Sequence, residues 1–220
     1  MLQLALSRGD GPVRRVLALG AHSDDIEIGC GATLLMLARA RNDLEVTWVV
    51  FAAQDERARE ARASAELFLA DAERADVQIH GYRDGFLPYV GGEVKEVFEA
   101  LKDSFEPDLV LTHTRHDLHQ DHRLLCELTW NTWRDHLILE YEIPKYDGDF
   151  AAPNVFVPIG AELAREKTQN VIELFASQKG KHWLDAELLL GVMRIRGMEA
   201  RSPTGYAEAF TARKLSLSVP

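Results

Sequence analysis

Short apolar runs alternate with stretches of helical spacing through the first half of this chain, and that alternation leaves few folds open. Arg15 to Gly20 is an apolar run ending in glycine, the pattern of a fully buried strand. Ile26 to Ala40 follows, with Leu34, Leu35, Leu37 and Ala38 spaced for one helix face. Glu45 to Ala52 holds Val-Thr-Trp-Val-Val-Phe, a second strand. Asp55 to Asp71 is charged and Ala-rich, with Ala61, Ala65, Leu67 and Phe68 for a buried face. Val77 to Ile79 is a weak third strand, Gly92 to Phe105 an amphipathic helix and Asp108 to Thr112 a fourth strand. This order predicts an α/β fold: a mostly parallel sheet with helices on both faces.

The remainder reads as a helix over Arg123 to Trp133, strands over Leu137 to Ile143 and Val155 to Ile159, and helices over Glu162 to Ala176 and His182 to Met198. A Pro/Gly/Asp-rich loop, Pro144 to Pro153, separates the two strands, and Tyr206 to Phe210 is expected as a short edge strand. The length, 220 residues, suits one domain over 1–220. The 25 Lys and Arg stand against 35 Asp and Glu, for a formal charge of −10. Such a surface repels nucleic acid and anionic lipid, so neither is an expected partner. Two cysteines, Cys30 and Cys126, make no disulfide framework and suit a reducing compartment. Met1 to Arg14 carries no long apolar run, so no signal peptide is expected, and the chain reads as cytoplasmic.

In open parallel sheets, ligands bind beyond the carboxyl ends of the strands. Ala21-His22-Ser23-Asp24-Asp25 follows the first strand at once. His113, His116, Asp117, His119, Asp121 and His122 follow the fourth, so four of the eight histidines fall within ten residues. A lone histidine there is ordinarily a cap or a satisfied polar group, and an Asp pair at a helix start is ordinarily a cap. Two such clusters at strand ends of one sheet are harder to explain by structure alone. Two histidines and one carboxylate suit a catalytic zinc with an open position. Amide cleavage also needs a base and a stabiliser for the oxyanion, and Asp24, Asp25, His119 and His122 offer both.

Ala21-His22-Ser23-Asp24-Asp25, then Glu27 and Gly29-Cys30-Gly31, with His119-Gln120-Asp121-His122 later, resembles the PIG-L/LmbE family of zinc-dependent N-deacetylases. The resemblance spans at least residues 14 to 135, and Tyr206-Ala207-Glu208-Ala209-Phe210 also looks like a stretch near the end of relatives. It implies a Rossmann-like (LmbE-like) α/β domain. It implies Zn2+, or another divalent ion such as Fe2+, on His22, Asp25 and His122. It makes Asp24 the general base and His119 a cationic oxyanion stabiliser oriented by Asp121. It implies hydrolysis of an N-acetylglucosamine-type conjugate, and self-association is common in such proteins. Ser23 replaces the usual Pro, Ile26 follows the Asp pair so that the acid falls at Glu27, and Ala32 stands where a second Gly is common. Ser23 is expected to loosen its loop slightly, since proline fixes a backbone angle.

Arg57, Arg62, Glu142, Lys145 and Tyr206 are the candidate substrate contacts; Arg59 shares a segment with Arg57, and Tyr141, Tyr146 and Asp147 are candidate pocket lining. The bland alternatives are a solvated helix face and a polar loop. His113 and His116 are expected to shape their loop, Cys30 to be a small buried residue, and Trp130, Trp133 and Trp183 to be helical core. Three rival functions stand beside the sugar deacetylase. The same machinery could cut a non-sugar amide or a specialised metabolite. A catalytically silent binding protein should lack Asp24 or His119. A nucleotide-binding fold is excluded because the first β-α turn has two Asp and no G-x-G-x-x-G.

Overall fold

The structure, a computed structural model, describes residues 6–8 and 11–216. The segment read as free of a signal peptide, Met1 to Arg14, therefore lies partly outside the described residues. Ser7–Arg8 (β1) and Gly11–Pro12 (β2) pair as a small separate ladder. The main sheet uses β3 (Arg15–Gly20), β4 (Glu45–Val50), β5 (Arg74–Ile79), β6 (Leu109–His113), β7 (Leu137–Tyr141), β8 (Val155–Ile159) and β9 (Tyr206–Thr211). Its order is β5-β4-β3-β6-β7-β9-β8. The five strands from β5 to β7 are parallel, and β9 runs antiparallel to both β7 and β8. The expected edge strand at Tyr206 is thus an interior one. Its alternation is masked because four of its six residues are buried.

The helices are α1 (Asp25–Ala40), α2 (Asp55–Phe68), α3 (Gly91–Ser104), α4 (Gln120–Thr132), α5 (Ala161–Leu174) and α6 (Ala186–Glu199). Strand residues alternate between two cores, as the two-residue period requires. Val16, Ala18, Trp48 and Leu111 meet α1, α2, α5 and α6 through Leu34, Phe68, Val171 and Leu189. Leu17, Leu19, Val49 and Val110 meet α3 and α4 through Val94, Phe98 and Leu125. The chain leaves β3 toward β4 on one side and returns as β6 on the other. The switch point therefore lies between the ends of β3 and β6.

Boundaries shift where side-chain chemistry rather than periodicity sets them. α4 begins three residues before the expected Arg123, because His119 caps it: His119 Nδ1 accepts the Asp121 N–H at 3.2 Å. α6 begins at Ala186, where Asp185 accepts from the Glu187 and Leu188 N–H groups. Trp183 consequently lies in a turn, not a helix, and is only partly buried. β7 stops at Tyr141, two residues before the expected Ile143.

Two contacts fix α1 to the sheet. Its Gly29 lies against the Tyr141 ring, which is buried with its hydroxyl donating to Leu19 O at 2.6 Å. Farther along, Glu208 of β9 accepts from the Ala32 and Thr33 N–H groups at 2.9 and 2.7 Å. Lys167 of α5 donates to Glu208 and to Ile28 O, both at 2.6 Å. A Cβ added at Gly29 would overlap the Tyr141 ring, whereas one added at Gly92 would meet nothing. Gly29→Ala is expected to cost about 1–3 kcal/mol by overpacking and to lower the melting temperature by several degrees. Gly92→Ala should not lower it; equal melting curves for both variants would contradict this packing.

Candidate metal centre and active site

The β3–α1 loop carries His22, Ser23 and Asp24, and the first residue of α1 is Asp25. The β6–α4 loop ends at His119, and the first turn of α4 carries Asp121 and His122. The switch point brings the two segments together. His22 Nδ1 lies 3.1 Å from His122 Nε2, and Asp25 Oδ2 lies 3.3 Å from the first and 3.4 Å from the second. The outer nitrogens of both rings face carboxylates. His22 Nε2 is 3.1 Å from Asp84 and 3.2 Å from Asp121, and His122 Nδ1 is 2.8 Å from Asp117. A neutral imidazole has one donor and one acceptor nitrogen. With the outer nitrogens donating, three acceptor atoms face one point from two rings and a carboxylate.

Three lone-pair atoms held that close repel one another unless a proton or a cation lies among them. Without a cation, the cluster takes up protons. Burial opposes charge on His22 and His122, but neighbouring carboxylates outweigh it and raise both pKa values. Burial likewise opposes ionised Asp25, yet the histidines hold its carboxyl below the usual range. Ligand bonds of about 2.0–2.1 Å in tetrahedral geometry put donor atoms about 3.3 Å apart. The triangle of His22, Asp25 and His122 therefore fits a divalent cation in spacing and donor chemistry. Other His/Asp groupings, His22 with His119 and His122 and Asp25 with His113 and His122, are also close enough to hold one.

Asp24 is 2% exposed, and its Oδ2 has no hydrogen-bond partner among the described residues. Burial, helped by the charge of Asp25, pushes its pKa up to about 6, against the pull of Arg57 3.8 Å away. The folded cation-free protein thus keeps the Asp24 proton after the unfolded chain, at about 3.9, has lost it. Stability that comes from neutral Asp24 is present below that value and lost as pH rises through about 6. Wild type without metal should therefore lose stability relative to Asp24→Asn between about pH 4 and pH 6, read from denaturant midpoints. Parallel midpoints across that range would contradict the shift.

Asp121 is buried, but its carboxylate does not meet His119. It accepts from Gly85 N–H at 2.7 Å and Leu87 N–H at 3.1 Å, and faces His22. The expectation that Asp121 orients His119 is thus corrected: the Asp121 backbone N–H does so, through His119 Nδ1. That bond leaves the proton of the neutral ring on Nε2. Burial, with the charges of His122 and His22, lowers the His119 pKa in the cation-free cluster. His113 is fully buried; its Nε2 accepts the Ala21 N–H at 3.0 Å and its ring stacks on His122 at 3.8 Å. Burial lowers its pKa to about 4. His116 is exposed.

A cleft of about 280 Å³ opens over the triangle, lined among others by Asp24, Arg57, Asp84, His119, Tyr146 and Trp183. Arg57 lines it, donating to Ser23 Oγ at 3.1 Å and Asp84 at 2.7 Å. Ser23 is buried and gives Arg57 an anchor. Of the four other candidate substrate contacts, only Lys145 lines the cleft. Arg62 is exposed on α2 and, like Arg59, does not line the cleft. Glu142 is taken by Arg196 at 2.6 and 2.7 Å. Lys145 lines the cleft but spends its ammonium on Asp117, Asp149 and Ile143 O. Tyr206 stands away from it, under Arg194. Tyr141 supports α1 from below, while Tyr146 and Asp147 do line the cleft. Trp133 is core, Trp130 is partly buried and donates to Glu140, and Trp183 faces the cleft. Sequence reasoning missed Asp84, although it follows β5 on the same side of the sheet and the strand-end rule could have flagged it.

The chain matches the family model PIG-L, GlcNAc-PI de-N-acetylase, over residues 17–133. No curated protein matches it in sequence. Among solved structures it is similar to an N,N'-diacetylchitobiose deacetylase from Pyrococcus horikoshii, with 20% identity, TM-score 0.69, and coverage of 91% of this chain and 84% of that one. It is similar to a teicoplanin deacetylase solved in a zinc-inhibited form, with 17% identity, TM-score 0.70, and coverage of 92% and 100%. It is also similar to a 4-carboxy-2-hydroxymuconate hydratase from Pseudomonas putida, with 16% identity, TM-score 0.71, and coverage of 94% and 99%. At these identities the likeness is one of fold. Among the described residues, no helix is long and apolar enough to cross a membrane.

Proposed function

This chain belongs to the PIG-L (GlcNAc-PI de-N-acetylase) family, and on that premise we propose that it is a zinc-dependent hydrolase removing an N-acetyl group from an amino-sugar conjugate. One observation carries the reading: three acceptor atoms, from His22, Asp25 and His122, stand 3.1–3.4 Å apart at the floor of a cleft, beside a buried Asp24 oxygen that has no hydrogen-bond partner among the described residues. When bound there, a divalent cation would polarise the acyl carbonyl and acidify a water. His22, Asp25 and His122 would hold it.

The chain's own residues then have separable tasks. Asp24 Oδ2, free of other partners, takes a proton from the attacking water. His119 directs Nε2–H into the cleft and donates to the oxygen that gains charge. Asp24 returns its proton to the nitrogen as the C–N bond breaks, so that one water and one amide give one acetic acid and one amine, which part as acetate and ammonium. Asp121 and Asp84 keep the His22 ring turned with Nδ1 inward. Arg57, anchored on Ser23 and Asp84, is the side chain offered to sugar hydroxyls.

The test is metal analysis of purified protein together with acetate release from N-acetylglucosamine conjugates and from non-sugar N-acetyl amides. Acetate release from the conjugates at stoichiometric zinc is the expected result. Release from the non-sugar amides alone would move the substrate class and keep the mechanism. The likeness to a hydratase supports a second reading, water addition to a carbon–carbon double bond. Zinc-loaded protein that releases no acetate but hydrates an unsaturated tricarboxylate would establish it instead.

A further inference from the structure

Asp117 is fully buried, and its carboxylate joins three parts of the site. Oδ2 accepts from His122 Nδ1 and from Lys145 Nζ, each at 2.8 Å. Oδ1 accepts the His119 N–H at 2.8 Å. Lys145 also donates to Asp149 at 2.9 Å, and Asp149 accepts the Leu118 N–H at 2.6 Å. Asp117 and Leu118 belong to the loop before α4. Lys145 and Asp149 belong to the loop after β7, whose Ile143, Pro144, Tyr146 and Asp147 form one wall of the cleft. Mostly buried charges thus sew two loops together, and the seam ends on His122.

We infer that Asp117 is a positioning residue for His122, and that Lys145, through Asp117, makes the cleft wall 143–149 and the metal-binding imidazole one mechanical unit. This rests on His122 being a metal ligand, as proposed above. Donation from Nδ1 to Asp117 fixes the tautomer and turns the Nε2 lone pair toward His22 Nδ1 and Asp25 Oδ2. Lys145 has three donors, and all three have partners within the protein. Its service is to the wall rather than to substrate. Coupling between two sites is reciprocal. A cation that selects the Asp117-held His122 therefore also selects the Lys145-held wall.

Three measurements test this. In metal-free wild type, at a pH where the ring is neutral, nitrogen NMR should show His122 protonated on Nδ1. Zinc affinity, read by competition with a chromophoric chelator, should fall about 10–100-fold in Asp117→Asn. Zinc should slow hydrogen exchange of the amides of residues 143 and 145–149 in wild type and leave it unchanged in Lys145→Met, a variant that keeps Asp117 should Asp117→Asn fail to fold. Zinc bound equally by wild type and Asp117→Asn, or a His122 ring protonated on Nε2, overturns the inference while leaving the metal reading intact. Wild type that takes up no zinc overturns the metal reading itself, and this inference with it.

Discussion

Asp24→Asn is expected to keep its zinc and lose about 10²–10⁴-fold in turnover, the usual contribution of a positioned general base. The variant is nearly isosteric, and the oxygen it replaces has no partner to lose. Asp24 is also not one of the three atoms that converge; Arg57 holds its other oxygen at 3.8 Å. Metal content should therefore match wild type, and the loss should fall on kcat. Removing a carboxylate whose ionisation burial already opposes should leave the fold at least as stable above pH 6. Undiminished turnover in Asp24→Asn would transfer the base role to another group, and loss of zinc would place Asp24 among the ligands.

His22→Ala should behave differently in both measurements. It removes one corner of the triangle and also empties the position that Asp84 and Asp121 hold from the other side. Two donors do not retain zinc against a chelator as three do. The variant should emerge from dialysis against a chelator and re-addition of zinc with little metal. Its activity should equal that of metal-stripped wild type. Zinc content equal to wild type in His22→Ala would contradict the proposed ligand set. Together the two variants separate a residue that moves a proton from one that holds the ion.

The parallel sheet was legible because buried strands such as Arg15–Gly20 and Leu109–His113 are almost unbroken apolar runs, and the helices between them keep one apolar stripe. The two clusters were legible because strand ends in such a sheet are where polar residues have little structural excuse. The start of α4 was not, since a histidine cap lies outside the Ser/Thr/Asp/Asn signature of a helix start. The partner of Asp121 was not, because sequence proximity to His119 says nothing of side-chain direction, and its carboxylate points to Gly85, Leu87 and His22. Glu142 and Lys145 looked available because a sequence cannot display the Arg196, Asp117 and Asp149 that occupy them.

The ammonium–carboxylate clasp of Lys167 and Glu208 on the backbone of α1 has a bearing on when this protein can work. Every group assigned to chemistry is translated by residue 122, yet the clasp is complete only once residue 208 has been made. Among the described residues β8 pairs with β9 alone, so it too waits for that strand before it has a neighbour. A nascent chain emerging from the ribosome would thus carry all its reactive side chains for nearly ninety residues before the helix that aims them is locked. Competence arrives only once β9 has been made, and a stop codon placed after residue 122 but before that strand would leave the full chemical inventory without its frame.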